Sequence, residues 1–163
     1  FQDMSAEEIN QIVANTGVDL VQLHGDEDVS VVKNIQVPVI KVLHIDSSST
    51  SSTTSSNELL HSTASCYAAT KRICALLLDT KVGNQAGGSG KQFDWNVAKN
   101  IDAPVIIAGG LSASDGSAMR ATQVSGCIGL DVSSGVEVKD TPGIKDPALV
   151  TAFVNDARSE ERQ

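Results

Sequence analysis

Two segments of the sequence, IIAGGLS and DVSSGVE, combine glycines with hydroxyl side chains. Glycines let a ligand approach the backbone, and amides and hydroxyls near a helix N-terminus bind phosphate groups. Either segment alone fits an ordinary tight turn or loop, but the two together favour a phosphate site. The candidate binding residues in them are Gly109, Gly110, Ser133, Ser134 and Gly135.

Asp79 is the candidate for proton transfer. It follows the unbroken apolar run Ile73–Leu78 and precedes a glycine-rich segment. A carboxyl group partly withdrawn from water favours its protonated form and can serve as a proton donor. The alternative is a solvated aspartate at the start of a loop, with no catalytic role.

Other polar residues follow predicted strands directly. Gln22 and His24 come after the first strand, and Asp131 comes after the last. We interpret all three as candidates for ligand contact, although His24 is equally compatible with hydrogen bonds to neighbouring backbone. The sequence indicates no partner for His44 or His61, and we assign them no role.

Composition limits the class of protein. The 163 residues are 40% apolar, which is enough for the core of one domain. The formal net charge is −8, and a negative field repels nucleic acid and anionic membranes. A small anionic ligand remains compatible with that charge, because a local group of backbone amides can bind it.

Localisation and redox state are predicted from what the sequence lacks. No apolar run approaches the roughly 18 residues of a membrane span, and no secretory signal is evident, so we expect a soluble cytoplasmic protein. The cysteines do not have metal-site spacing, and their odd number favours free thiols; we therefore predict no metal site. They are Cys66, Cys74 and Cys127.

Strands alternate with helices along the chain. Ser5 and Glu8 have the spacing of a capping box at the start of a first helix, and Thr16-Gly17 ends it. Strands are predicted at Val18–Leu23, Val39–Leu43, Ile73–Leu78, Val105–Ala108 and Cys127–Asp131.

The connecting segments divide into loops and further helices. Ser47–Ser56 consists only of serine and threonine and predicts a mobile surface loop, and Asp79–Gln92 predicts a long glycine-rich loop. Further helices are predicted from Asp26-Glu27, over Asn57–Ala64 and Asp94–Asn100, near Ser112 and Asp115, and from Asp146-Pro147 to Ala157.

This alternation predicts an α/β fold with a parallel sheet and ligands at the carboxyl ends of the strands. A doubly wound sheet fits the same alternation. No G-x-G-x-x-G follows the first strand, however, so dinucleotide binding has little support.

The strings VQLHGDE, LLDT followed by GGSGKQFDW, IIAGGLS, and DVSSGVE with GIKD occur in this order. In order and spacing they resemble phosphoribosylanthranilate isomerase, a (β/α)₈ TIM-barrel family of tryptophan biosynthesis. The resemblance runs from Phe1 to about Ala157. It implies an isomerase that converts a phosphoribosylamine to an aminodeoxyribulose phosphate by Amadori rearrangement.

The resemblance also implies roles for individual residues. Asp79 matches the general acid of the family, and the phosphate-binding loops match the glycine and serine residues named above. Gln22, His24 and Asp131 lie on the rim that faces substrate. No metal or organic cofactor is implied, and the partner is a small phosphosugar.

The family's general base is a cysteine at the end of the first barrel strand, and an arginine after the second strand binds the anthranilate carboxylate. Neither position falls within these residues. Cys74 lies roughly 16 Å from Asp79 along its strand and cannot replace that base.

We therefore expect one incomplete barrel domain over residues 1–163, with five parallel strands and the first three βα units missing. Both edges of such a sheet are open. The expected fragment is inactive alone and is completed by, or fused to, other tryptophan-pathway segments.

Two alternatives stay open at this point. One is a noncatalytic phosphate-binding module that retains the last two loops. The other is a related barrel enzyme such as indoleglycerol phosphate synthase, which is disfavoured because Lys41 and Lys81 do not fall in the motifs of that family.

Overall fold

The computed structural model describes residues 1–46, 54–82, 85–86 and 92–159. Within them, five parallel strands pair in the order β1-β2-β3-β5-β6, and a short β4 pairs antiparallel with β3. The order never reverses, whereas a doubly wound sheet reverses at a switch point. The strands are β1 Val21–Leu23, β2 Val39–Asp46, β3 Ile73–Val82, β4 Gln85–Ala86, β5 Val105–Ile107 and β6 Cys127–Leu130.

The helices include several with the capping residues that the sequence predicted. Ser5 and Glu8 form a reciprocal capping box at the start of α1, and Gly17 ends α1 with φ of 71°. Asp146 accepts from the Ala148 amide at the start of α5. The α-helices are α1 Ala6–Thr16, α2 Val29–Asn34, α3 Thr54–Ala68, α4 Ser117–Thr122 and α5 Pro147–Ala157; two 3₁₀ helices span Trp95–Asn100 and Ser134–Val136.

Three elements begin later in the chain than predicted. The first strand begins at Val21 because pairing with β2 begins there, and Val18 is 42% exposed. The second helix begins at Val29 rather than at Asp26-Glu27, because Asp28 caps it. The helix after the double glycine begins only at Ser117, whose amide donates to the Asp115 carboxylate.

The two long loops were predicted too broadly. In the Ser47–Ser56 prediction, residues 47–53 lie outside the described part of the chain, and 54–56 belong to α3. We attribute the longer helix to packing of Leu60, Ala64 and Tyr67 against the core at helical spacing. In the glycine-rich segment, β3 continues beyond Asp79 because it pairs with β2 as far as Lys81 and with β4 at Lys81 and Val82. Residues 83–84 and 87–91 lie outside the described part of the chain.

The two faces of the sheet have different neighbours. Buried residues of the helices pack against alternate strand residues on one face. The other face carries a small cluster of strand residues, Val42, Leu77 and Ala108. Because side chains alternate along a strand, His44 and Asp79 lie on the same face as Val42 and Leu77. That face therefore presents polar side chains at its carboxyl end.

The two edge strands of the sheet are those that the sequence predicted, since β1 and β6 are the outermost of the described strands. In β6, Ile128 is 64% exposed. Among the described residues, no helix has both the length and the apolar character that crossing a membrane requires.

Candidate active site

A cleft of about 400 Å³ lies at the carboxyl ends of the parallel strands. Ligands of parallel α/β folds bind at this edge of the sheet, where the sequence predicts the site. Residues from the ends of β1, β3, β5 and β6 meet there, so the folded chain brings together most of the predicted site. The lining residues are His24, Asp79, Ala108, Gly109, Gly110, Leu111, Asp131, Val132, Ser133 and Ser134.

Two predicted site residues, Gln22 and Gly135, are not among those that line the cleft. Gln22 is exposed, and its Nε2 lies 3.3 Å from Nδ1 of His24. We call the segment Gly109–Ser112 the first phosphate-type loop and Asp131–Glu137 the second, after the prediction from the sequence. A Cβ on Gly135 would overlap the carbonyl of Leu111, so this glycine lets the two loops approach each other. Gln22 thus contacts a residue that lines the cleft, and Gly135 lies where the two loops meet.

Asp79 occupies the last part of β3 that faces the cleft. Its side chain is 11% exposed, and its Oδ1 accepts from the Thr80 amide at 2.8 Å. The other oxygen, Oδ2, lies 3.9 Å from Nε2 of His24. One oxygen is therefore held by backbone while the other is directed toward His24 and the cleft.

Gly109 fixes the distance between Asp79 and the first phosphate-type loop. It has φ of 73°, in the left-handed region that favours glycine. A Cβ at this position would overlap Thr80 and come within 2.8 Å of Asp79 Oδ1. Only a glycine allows the loop backbone to lie directly against the carboxylate.

Two histidines lie beside Asp79. His44 is its register partner on β2, and the rings of His24 and His44 are 5.2 Å apart. Nε2 of His44 lies 3.1 Å from the carbonyl oxygen of His24. No local sequence pattern indicates a role for His44, because the residues that it contacts come from other strands. His61, the third histidine, instead bonds the Val97 carbonyl.

Lys145 supports the second phosphate-type loop. Its ammonium donates to the carbonyl and hydroxyl oxygens of Ser133, each at 3.0 Å, and to Oε1 of Glu137 at 2.7 Å. The hydrogen bond from Lys145 lowers the pKa of Glu137 below its ordinary value. No pattern in the sequence indicates a role for Lys145 or Glu137, although both lie in the strings that carry the family resemblance.

A buried ion pair supports the turn that follows β1. Lys41 Nζ lies 3.0 Å from Oε2 of Glu27 and donates to the carbonyl of Gly25 at 2.6 Å. Burial raises the pKa of Glu27, but hydrogen bonds from Lys41 and from the Asp3 amide outweigh it, and the pKa is lowered. The pair lies on the face of the sheet that packs against the helices. Lys41 therefore anchors the His24-Gly25 turn and does not face the cleft.

The three cysteine thiols lie away from the described lining of the cleft. Cys74 Sγ donates to the carbonyl of Val39, at the start of β2 and away from Asp79. Cys127 begins β6, and burial raises the pKa of its thiol. Cys66 lies in α3 and is exposed. The described lining of the cleft contains no thiol.

Known proteins resemble both the sequence and this arrangement. A family model described as N-(5'phosphoribosyl)anthranilate (PRA) isomerase matches residues 1–156. An N-(5'-phosphoribosyl)anthranilate isomerase of Dehalococcoides mccartyi is 34% identical over 156 residues, covering 94% of this chain and 67% of its own length. A tryptophan biosynthesis protein of Phytophthora nicotianae is 38% identical over 157 residues, covering 94% of this chain.

The chain spans only 28% of that Phytophthora protein. Among solved structures, phosphoribosylanthranilate isomerase of Thermotoga maritima superposes with a TM-score of 0.73 at 25% identity, covering 98% of this chain and 71% of that one. The five parallel strands, the cleft at their carboxyl ends and a family match over nearly the whole sequence agree: the chain belongs to the N-(5'-phosphoribosyl)anthranilate isomerase family.

Proposed function

We propose that this chain provides the general acid and the phosphate site of an isomerase that converts N-(5-phosphoribosyl)anthranilate to 1-(2-carboxyphenylamino)-1-deoxyribulose 5-phosphate. The observation that carries the proposal is the position of Asp79 in one cleft with Gly109, Gly110, Ser133 and Ser134. A phosphosugar held at one end by the glycine and serine loops presents its ribose to the carboxyl group.

In this proposal Asp79 donates a proton to the ring oxygen of the ribose, and the bond from that oxygen to the anomeric carbon breaks while the lone pair of the anthranilate nitrogen forms a C=N bond to the same carbon. A general base then removes the proton from the neighbouring carbon. The electron pair of that C–H bond forms a C=C bond, the C=N pair returns to nitrogen, and the resulting enolamine takes up a proton at the former anomeric carbon as it tautomerises to the ketone. The geometry of Asp79 supports the first step, because its Oδ1 is held by the Thr80 amide while its Oδ2 is directed toward the cleft.

Phosphate binding rests on the two loops together. The left-handed glycines Gly109 and Gly110 present backbone without side chains, and the 3₁₀ helix Ser134–Val136 begins in the second loop. Asp131 and His24 border the same cleft, which supports contacts with the sugar hydroxyls. Gln22 acts through His24 in this scheme, and Gly135 acts through the contact between the loops.

The five parallel strands correspond, in our proposal, to the last five of an eight-stranded barrel, so that the chain is the C-terminal two thirds of the domain. The coverage of 67% and 71% in the two isomerases supports this. The general base and the arginine for the anthranilate carboxylate then come from a segment outside these 163 residues. A cytoplasmic location follows from the metabolic role.

Fusion to other enzymes of the pathway is part of the same proposal. The Phytophthora protein is much longer than a single isomerase, since the chain spans 28% of the former and 67% of the Dehalococcoides enzyme. A longer polypeptide of this kind supplies both the completing strands and further catalytic domains.

The test is reconstitution with the N-terminal third of the Dehalococcoides isomerase, with co-elution as the check on assembly. We expect no turnover by the chain alone and fluorescence-detected turnover of the phosphoribosylanthranilate by the assembly. Asp79→Asn should lower kcat by about 10²–10⁴. Asp102→Asn, at an exposed aspartate away from the cleft, is the matched control and should retain full activity.

Two outcomes would contradict the proposal. If the assembly binds inorganic phosphate but turns over no substrate, the chain is a phosphate-binding module. If Asp79→Asn retains kcat within about tenfold of the parent, Asp79 is not the general acid.

A further inference from the structure

The cluster of His24, His44 and Asp79 has a second chemical capacity. One nitrogen or oxygen atom from each residue lies within 4.8 Å of the other two. Two imidazoles and one carboxylate are a ligand set that binds Zn²⁺ and similar divalent ions, with water in the fourth position. In tetrahedral zinc sites the ligand atoms are about 3.4 Å apart, so modest side-chain rotation closes the site.

The position of the cluster in the sheet favours such a site. His44 and Asp79 are register partners on adjacent strands, so their side chains emerge side by side on one face. His24 follows β1 directly, and its Nε2 lies 3.9 Å from Asp79 Oδ2. The ligands therefore stand on regular strands or one residue beyond them, where little backbone movement is needed.

The hydrogen bond that His44 makes through Nε2 leaves its other ring nitrogen available to a metal. A carbonyl oxygen only accepts, so Nε2 of His44 carries a proton and donates to the carbonyl of His24. In the neutral ring, Nδ1 then bears a lone pair, and within the described residues this buried atom has no hydrogen-bond partner. A buried acceptor without a partner is unfavourable, and coordination to a cation removes that cost.

His24 keeps the site accessible. Its side chain is 38% exposed, so an ion can enter from the cleft. Its Nδ1 is 3.3 Å from the amide of Gln22, and a rotated amide presents an oxygen that accepts from Nδ1–H. That arrangement leaves Nε2 free for the ion and orients the ring, as is common around zinc-bound histidines.

We propose that His24, His44 and Asp79 form a binding site for Zn²⁺ or a similar divalent transition-metal ion, which inhibits the isomerase by occupying the Asp79 carboxylate. Binding stands on the geometry alone. Inhibition rests on the proposed function, because it requires Asp79 to be the proton donor.

Binding is tested on the 163-residue chain by calorimetric titration with Zn²⁺ and by the visible absorption of Co²⁺, with thiols alkylated beforehand. We expect one ion per chain and a Co²⁺ spectrum with nitrogen and oxygen ligands. His44→Asn should weaken affinity at least about tenfold. His61→Asn removes a histidine outside the cluster and is the matched control, with unchanged affinity.

Circular dichroism of His44→Asn checks folding, and His24→Asn, at an accessible position, provides a second variant. Affinity unchanged in both variants, or binding that disappears when the thiols are alkylated, would overturn the site. In the reconstituted enzyme, Zn²⁺ should lower kcat and a chelator should restore it. If Zn²⁺ binds at the cluster but kcat does not fall, the proposed inhibition is wrong. If the reconstituted enzyme shows no turnover even without metal, the proposed isomerase function is wrong, but the metal site is not affected by that result.

Discussion

The ammonium of Lys145 lies 3.0 Å from the hydroxyl of Ser133 and 2.7 Å from the carboxylate of Glu137, so one cation joins both ends of the second phosphate-type loop. The same ammonium also holds the Ser133 carbonyl. The loop therefore has a defined shape before any ligand arrives. Preorganised loops bind with less loss of conformational freedom.

Removal of this cation should weaken phosphate binding more than it weakens folding. We expect Lys145→Met to reduce the affinity of the chain for inorganic phosphate, measured by calorimetry, by about tenfold, because Ser133 loses both contacts. Unfolding free energy should change by no more than about 1 kcal/mol, as is usual for a partly exposed ion pair. Lys139→Met, at an exposed lysine nearby, is the control. Equal losses in both variants would point to net charge instead.

The buried pair of Lys41 and Glu27 should behave in the opposite way. Lys41→Met leaves the Glu27 carboxylate buried without its cation, and we expect a loss of about 3–5 kcal/mol of unfolding free energy in urea denaturation. The double variant Lys41→Met/Glu27→Gln should recover part of that loss, because no charge stays buried. Recovery would be absent if the lysine stabilised the fold only through its hydrocarbon chain.

Acid should destabilise the chain through Glu27 and Glu137. Both have a folded-state pKa below the ordinary value of 4.5, so the unfolded state binds protons first as the pH falls. Their contribution is fully present above pH 4.5 and is lost as the pH falls through the lowered folded-state values. Urea denaturation at a series of pH values measures this slope. Glu27→Gln should reduce the dependence of the unfolding free energy on pH. An unchanged dependence would show that Glu27 is not one of its sources.

Gly109 should tolerate alanine less well than Gly143, although both have positive φ. Alanine at Gly143 meets no atom within 4 Å and should cost only the backbone strain, about 1–2 kcal/mol. At Gly109 the added carbon also overlaps Thr80 and approaches Asp79, so a further loss of about 1–3 kcal/mol and lower kcat in the reconstituted enzyme are expected. Equal unfolding midpoints for Gly109→Ala and Gly143→Ala would show that Gly109 does not lie close enough to Thr80 and Asp79 for a Cβ to matter.

The sequence predicted those parts of the site that follow from local pattern. Asp79 and Gly109 could be identified because each comes directly after an apolar run, and Ser133 because it lies just beyond the last strand; strand ends in parallel folds share one edge. The capping residues Ser5 and Asp146 were predicted for the same reason, since a cap depends only on neighbours in the chain.

What the sequence could not predict depends on register and tertiary contact. His44 reaches Asp79 only because β2 and β3 pair with those two residues opposite each other. Glu27 carries a signal for a helix start, since acids favour that position, but the buried Lys41 draws its carboxylate inward. Tertiary pairing outweighed the local preference in that turn.

The unreversed strand order bears on how the chain folds during synthesis. Each parallel strand pairs with the parallel strand made before it, so a strand that leaves the ribosome finds its partner already present. Among the described strands, none made early has to wait for a distant one, which keeps the sequence separation of these pairings short for a parallel sheet. The cleft, in contrast, exists only after β6 has docked, because Asp131 and its neighbours complete the wall that Asp79 begins.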